Sequence, residues 1–501
     1  MRIQIAAVTI GKMRLLPTLI LGIILILGLF FRTYKIIDRF EFAHDGDLYS
    51  WIIKDILVNG HLRLIGQQTT APGIFIGPAY YYLITPFFIL SNMDPIGVLI
   101  PITLLGLFTI FSYYFVLANL FKKEIGFIAA FLYAVLTVTV NADRWVVPTV
   151  TTSLWSIWYF YTLILLSRGN FSALWLVGIL IGLIWHIHIA LIPTLIAIPI
   201  AILISKRIPS LKQTLFFTAS LLITSAPLII FELRHNFGQS FSLINNFTNS
   251  RESFASFYKF QLVLEMITKN VNSLLFSPQS FKVTNNIFFV LLIFLSALLP
   301  IKKKLISPKE LIPQYFWALG VIIFFTLSSS TISEYYFANI TVIFIVIVSF
   351  LLYLLFKFSF WGKLITLVIL AFILIKNTFF LITQDFYHKG YVEKKSVVEY
   401  IKKNSKELGY PCVGINYITN PGENVGFRYL FYLKNVYLTH PSLNVPVYNI
   451  VIPEELSKEV KVKFGHIGLI LPSQIPPKDT IEKGCQTPNT NLEDPMPLYV
   501  E

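Results

Sequence analysis

Long apolar stretches run along most of this chain, separated by short polar loops. Eleven of them read as membrane helices: 15–31, 96–120, 125–140, 150–166, 174–185, 189–204, 215–231, 287–300, 314–327, 337–355 and 364–382. A run of about 18 apolar residues is enough to cross roughly 30 Å of hydrocarbon. The first stretch follows basic residues, as a signal peptide does. It exceeds a typical signal core and no small-residue cleavage site follows, so it reads as a retained helix.

Three segments depart from this pattern. Residues 80–90 (YYYLITPFFIL) are apolar but short and Pro-flanked. They read as a shallow or re-entrant aromatic helix at the membrane interface, where Tyr is enriched. Counted as a full span, the segment would make the total even. The segments 32–77 and 232–286 are too long for simple connectors, and long loops in compact proteins are often functional. Within the first, Leu48, Trp51, Ile52, Ile56 and Leu57 share one helical face, the pattern of an amphipathic helix lying on a membrane.

Beyond residue 382 the pattern changes. Short apolar runs (412–418, 436–438, 447–452 and 467–471) alternate with Lys/Glu-rich helical stretches such as 394–407. The expected organisation is a transmembrane domain over 1–382, with outer loops 32–77 and 232–286, and a small soluble α/β domain over 383–501.

Composition agrees. The 501 residues are 55% hydrophobic and 13% charged, against about 25% charged in soluble proteins. The net charge of +14 lies wholly in the membrane part, since the tail from Leu381 onward holds thirteen basic and thirteen acidic residues. Basic clusters fall between alternate spans: Lys12/Arg14, Lys122/Lys123, Arg168, Lys206/Arg207/Lys212, Lys302/Lys303/Lys304 and Lys357/Lys363. That is the positive-inside pattern, with the N-terminus cytoplasmic and the tail extracytoplasmic. No basic-aromatic surface pattern points to nucleic acid. Cys412 and Cys485 both lie in the tail; an oxidising compartment would let them pair, and two free thiols fit the sequence equally well.

The first outer loop carries Phe42-Ala43-His44-Asp45-Gly46-Asp47-Leu48-Tyr49. Asp47 fits the N-cap of the amphipathic helix. Asp45, clustered with His44 and Tyr49, suits a general base on a hydroxyl or a ligand to a divalent cation.

These residues resemble the GT-C superfamily of polytopic glycosyltransferases, in the branch that holds protein O-mannosyltransferases and the lipid A aminoarabinose transferase. The resemblance spans roughly residues 13–385. Its marks are Asp45-x-x-x-Tyr49 after the first helix, Gly77-Pro78-Ala79-Tyr80-Tyr81-Tyr82 opening the next apolar helix, and Asp143-Arg144-Trp145 with Pro148 between later spans. A body of about 11–13 helices ending in an extracytoplasmic domain completes it. The resemblance implies inverting transfer of a hexose or pentose from a polyprenyl-phosphate donor to a hydroxyl of a protein, lipid or glycan, with Asp45 as catalytic base. In the family the Asp is commonly followed by Glu; here Gly46 follows and the second acid is Asp47, which is therefore a second catalytic candidate. A Lys often precedes the Pro element, and none does here.

The phosphate therefore needs another cation. Arg144 and Arg234 are the candidates, because guanidinium grips phosphate oxygens bidentately. Each also has a structural reading. Arg144 would pair with adjacent Asp143 or snorkel, and Arg234 would pair with Glu232. His186 and His188 are weak metal candidates along with Asp45 and Asp47, because a spacing of two points side chains apart unless the helix ends there. Tyr335, in Glu334-Tyr335-Tyr336, either lines the donor cavity or anchors in the aromatic belt. No nucleotide-binding loop occurs, which fits a lipid-linked donor used outside. The rival reading, a transporter or flippase of lipid-linked sugars, expects charged or Gly/Pro-broken helices at mid-membrane and two related halves. The sequence displays neither clear duplication nor buried charge pairs, and the acidic motif sits in an outer loop.

Overall fold

The computed structural model describes residues 15–69, 72–248, 257–275, 286–328, 332–385, 388–473 and 475–490. Lys12 and Arg14, the first basic cluster, lie outside them. The membrane part contains α1 (Leu15–Thr33), α2 (His44–Val58), α3 (Ala79–Leu90), α4 (Leu99–Leu120), α5 (Lys123–Val135), α6 (Thr137–Arg144) and α7 (Thr152–Ser167). It continues with α8 (Leu174–Ile187), α9 (Ala197–Ser205), α10 (Leu211–Arg234), α11 (Gly238–Thr248) and α12 (Phe257–Leu275). Then come α13 (Ile287–Ser296), α14 (Leu298–Lys302), α15 (Pro308–Leu327), α16 (Thr341–Phe358) and α17 (Phe360–Thr383).

Among the described residues, seven helices are long and apolar enough to cross a bilayer, and α5 with α6 makes an eighth, bent by 64°. The shorter apolar stretches Phe171–Ile187, Ile189–Ser205 and Ile287–Lys302 match the three remaining expected spans. At 12 residues, α3 is about 18 Å long, too short to cross. One helix pair shows how the bundle closes. Gly178 and Gly182 let α8 approach α10 so closely that a Cβ on either would meet Ser220 Oγ at 2.1 Å or Thr224 Oγ1 at 1.9 Å, the small-residue packing that suits helices in lipid.

The break at Leu136 frees backbone groups that hydrocarbon cannot satisfy. Two distant side chains take them up. Asn377 Oδ1, on α17, accepts from Thr137 N at 3.0 Å and Thr137 Oγ1 at 2.7 Å. Arg32, at the end of α1, donates to the carbonyls of Ala134 at 3.0 Å and Tyr133 at 3.3 Å. The continuous span expected over 125–140 is thus two helices, and the bend redirects α6.

The tail holds α18 (Tyr391–Glu407), β1 (Gly414–Thr419), α19 (Arg428–Leu433), β2 (Val447–Ile452), β3 (Val462–Phe464), β4 (Ile467–Ile470) and α20 (Lys478–Gly484). The sheet order is β1-β2-β4-β3, with β1 parallel to β2 and the other pairs antiparallel. Three of the four expected apolar runs are strands, and 436–438 contributes a single bridge from Leu438 to Val413. Cys412 and Cys485 pair, with Cα atoms 5.6 Å apart.

The amphipathic helix is corrected. The apolar face of α2 does not lie on a membrane surface. Leu48, Trp51 and Ile52 are buried in one core with Tyr80, Tyr81 and Phe88 of α3 and with Val397, Tyr429, Leu430 and Ile450 of the tail. Ile56 and Leu57 pack against the same core. Protein, not lipid, covers the face, because α3 and the tail converge on it.

Candidate active site

A cavity of about 640 Å³ opens where α1, α6 and α17 end, and it is bordered by Arg39, Asp45, Tyr49, Arg144, Trp145 and Asp385 among others. Asp45 sits in the first turn of α2, where unpaired N–H groups and the helix dipole favour a carboxylate. Its Oδ1 accepts from Gln67 Nε2 at 3.1 Å. Gln67 is held in turn by Tyr81, whose hydroxyl donates to Gln67 Oε1 at 3.2 Å and accepts from Gln67 N at 3.1 Å. The Pro-aromatic motif therefore orients the acidic motif through a residue that no pattern marked.

Asp47 does not cap its own helix. The helix starts at His44, and Ala43 is the capping residue. Instead Asp47 Oδ1 accepts from Tyr429 N at 2.9 Å, capping α19 of the tail. Burial raises the Asp47 pKa, offset partly by that hydrogen bond and by Arg428, Lys394 and His44. His44 is exposed and stands outside the cavity lining. Tyr49 is buried and borders the cavity, and its hydroxyl has no hydrogen-bond partner among the described residues.

Arg144 does not pair with Asp143. Its Nη2 donates to the carbonyls of Phe31 at 2.5 Å and Tyr34 at 3.0 Å, and its Nε to that of Arg32 at 3.2 Å. This ties down the end of α1 and leaves Nη1 buried without a partner among the described residues. Asp143 is taken by Arg32, at 2.5 Å and 2.8 Å, and by the Tyr133 hydroxyl at 2.7 Å. A buried charge pair is thus present although none was legible in the sequence, because its members are 111 residues apart.

Arg39 joins the cavity unannounced by any motif. It donates to the Leu381 carbonyl at 2.7 Å and to Gln384, and burial lowers its pKa from the usual guanidinium value. Arg234 is exposed at the end of α10 and lies outside the lining. It does not pair with Glu232, which is buried and accepts from Ser240 N at 3.1 Å at the start of α11. Tyr335 stands one layer back from the cavity, its ring 5.7 Å from that of Trp145 and 5.5 Å from that of His188.

The helix does end at Ile187, as a joint histidine site would require, yet the His186 ring is occupied. Its Nδ1 accepts from Ala79 N at 3.2 Å, so Nε2 carries the proton toward the Thr224 carbonyl at 2.9 Å. His188 Nδ1 accepts from Ala190 N at 3.1 Å. These rings cap α3 and the Ile189–Ile196 helix. Among the described residues, the one trio of convergent metal-ligating groups is Glu454, Glu455 and His466 in the tail, and none of them borders the cavity.

Residues 75–231 match the family model described as dolichyl-phosphate-mannose-protein mannosyltransferase. No curated protein sequence matches. Among solved structures, the chain is similar to ArnT from Cupriavidus metallidurans, at 11% identity over 92% of this chain and 99% of that one. The TM-score is 0.55 with undecaprenyl phosphate bound and 0.56 without. It is also similar to the apo oligosaccharyltransferase of Archaeoglobus fulgidus, at 13% identity over 93% of this chain and 76% of that one, with TM-score 0.52. With its bent span, short aromatic helix and appended sheet, the chain has the polytopic GT-C glycosyltransferase fold that its motifs pointed to.

Proposed function

We propose that this chain transfers a sugar from a polyprenyl-phosphate carrier to an acceptor hydroxyl, at the outer face of a cytoplasmic membrane. One observation carries the reading: a single cavity is bordered by both Asp45 and Arg144, whose Nη1 has no partner among the described residues. Phosphate is already a good leaving group, whereas a hydroxyl is a poor nucleophile until its proton is being removed. Asp45 takes that proton as the hydroxyl oxygen bonds to the anomeric carbon. The bond from that carbon to the phosphate oxygen breaks, and its electron pair leaves on the carrier phosphate. Displacement in a single step inverts the anomeric centre. Arg144 and Arg39 stabilise the departing charge. Glu41, Asp45 and Asp385 border the same space without forming a convergent trio of ligands, so a divalent cation there would also draw oxygens from the carrier phosphate, whose charge it would neutralise.

The same geometry supports this orientation. Arg39, just past α1, bonds the end of α17, so both helices finish at the cavity face. Leu120, Glu124, Arg168, Glu310 and Lys357 meet at other helix ends, with Arg168 to Glu310 at 2.5 Å and Lys357 to Glu124 at 3.4 Å. Those ends carry the basic clusters, which supports a cavity and a disulfide-bonded tail that face outward.

The charge pair does not favour a transporter. Arg32 and Asp143 are 1% and 3% exposed and brace the α5–α6 break rather than bordering the cavity. The testing experiment is binding of undecaprenyl phosphate to the purified chain. Saturable binding that Arg144→Ala weakens supports the reading, since the fold relative ArnT was solved with that lipid. Absence of binding by the wild-type chain overturns it.

A further inference from the structure

The segment that delivers Asp45 to the cavity is strained, and the tail grips its strained residues. Phe42 has a φ of 43°, a left-handed conformation that costs a bulky residue energy and persists only when its surroundings enforce it. Those surroundings belong to the tail. Lys394, only 4% exposed, donates from Nζ to the Phe42 carbonyl at 2.9 Å. Tyr391 N donates to the Phe40 carbonyl at 2.8 Å, and the Tyr391 ring packs on Phe40 and Phe42, with centroids 5.4 and 5.9 Å away. Tyr429 N holds Asp47. Gly426, at φ 83°, lies so close that a Cβ there would sit 2.2 Å from the Phe42 carbonyl oxygen.

We propose that the tail domain is a clamp on the catalytic loop, with Lys394 as a positioning residue that sets the Asp45 carboxylate through the strained Phe42 and the first turn of α2. This rests on the reading of Asp45 as base. The Phe42 ring transmits the constraint directly, because it covers that first turn: a Cβ on Gly46 would meet Phe42 Cδ2 at 2.7 Å. A misplacement of about 1 Å can cost on the order of 100-fold in rate, so a hold of this kind controls turnover without touching substrate. Burial pulls the Lys394 pKa down to about 8, with Asp47, Glu41 and Glu423 opposing the shift, as suits a cation committed to an internal contact.

The test uses the full chain in lipid nanodiscs. Lys394→Met removes the donor, and Gly426→Ala pushes on the Phe42 carbonyl. Gly422→Ala is the control, because Gly422 shares a positive φ of 85° in the same domain but faces open space. Hydrogen exchange over residues 40–49 is expected to rise at least about tenfold in the first two variants and not in the control, with exchange in β1 and β2 unchanged. With undecaprenyl-phosphate mannose as donor, kcat is expected to fall roughly 10- to 100-fold at unchanged KM, and Lys394→Arg to recover part of the loss. Unchanged exchange over 40–49, or an equal rise throughout the tail, overturns the clamp. Wild-type turnover in Lys394→Met and Gly426→Ala beside an inactive Asp45→Asn also overturns it, leaving the base intact. Full turnover in Asp45→Asn overturns the base alone, and the exchange pattern then decides the clamp.

Discussion

Asp143 accepts from Arg32, not from its neighbour Arg144, and this choice shapes the cavity. With Asp143 satisfied by Arg32 and Tyr133, Arg144 is free of a carboxylate and turns to the end of α1 with one nitrogen to spare. The pair also holds the α5–α6 bend that brings Asn141, Ala142 and Arg144 to the cavity. Removing one partner of a buried pair strands the other charge, at about 3–5 kcal/mol. Asp143→Asn is therefore expected to lower the thermal unfolding midpoint sharply. Replacing both partners by apolar residues should recover much of the loss, and an Asp143→Asn protein as stable as wild type would show that the pair does not brace the break.

The two acids of the first loop should separate by phenotype. General-base catalysis contributes about 10²–10⁴-fold, so Asp45→Asn is expected to lose turnover by that order with folding intact. Asp47→Asn keeps an oxygen for Tyr429 N and should lose far less. Asp47→Ala gives up the cap, at about 0.5–2 kcal/mol, and should be seen as earlier unfolding of the tail. Transfer assays at matched folded protein check this. An inactive Asp47→Asn beside an active Asp45→Asn would move the base by two residues.

Arg144→Lys keeps a charge but cannot bond three carbonyls and still offer a fork. Both Arg144→Lys and Arg144→Ala are expected to weaken undecaprenyl phosphate binding, Ala more, with a loss of about tenfold for each charged hydrogen bond given up. Titration of the purified variants with undecaprenyl phosphate measures it. Wild-type affinity in both would pass the phosphate contact to Arg39.

The tail should be reachable from outside. A reporter fused after Glu501 is expected to register as extracytoplasmic, and Cys412 and Cys485 should resist thiol labelling until reduced. Loss of a disulfide in a small extracytoplasmic domain typically costs about 2–5 kcal/mol, so Cys412→Ser should lower the unfolding midpoint. Labelling of both thiols without reductant, or a cytoplasmic reporter signal, would overturn the orientation.

The sequence by itself determined where the spans lie, because hydrocarbon accepts only long apolar helices and the pattern shows them directly. It likewise marked Asp45, Tyr49 and Arg144, through residue types that carry chemistry before any folding and through the motifs on which the family resemblance rests. It did not show what covers the apolar face of α2, because Trp51 and Ile52 read the same against lipid or protein. Nor could it show that Arg32 takes Asp143 across 111 residues or that Asp47 caps a helix 382 residues away. Pairing between distant polar groups depends on which helix ends the bundle brings together. Only the tertiary structure decides that, and so only it shows that Gln67 holds Asp45 from within the loop while the tail holds Phe42 and Asp47 from without.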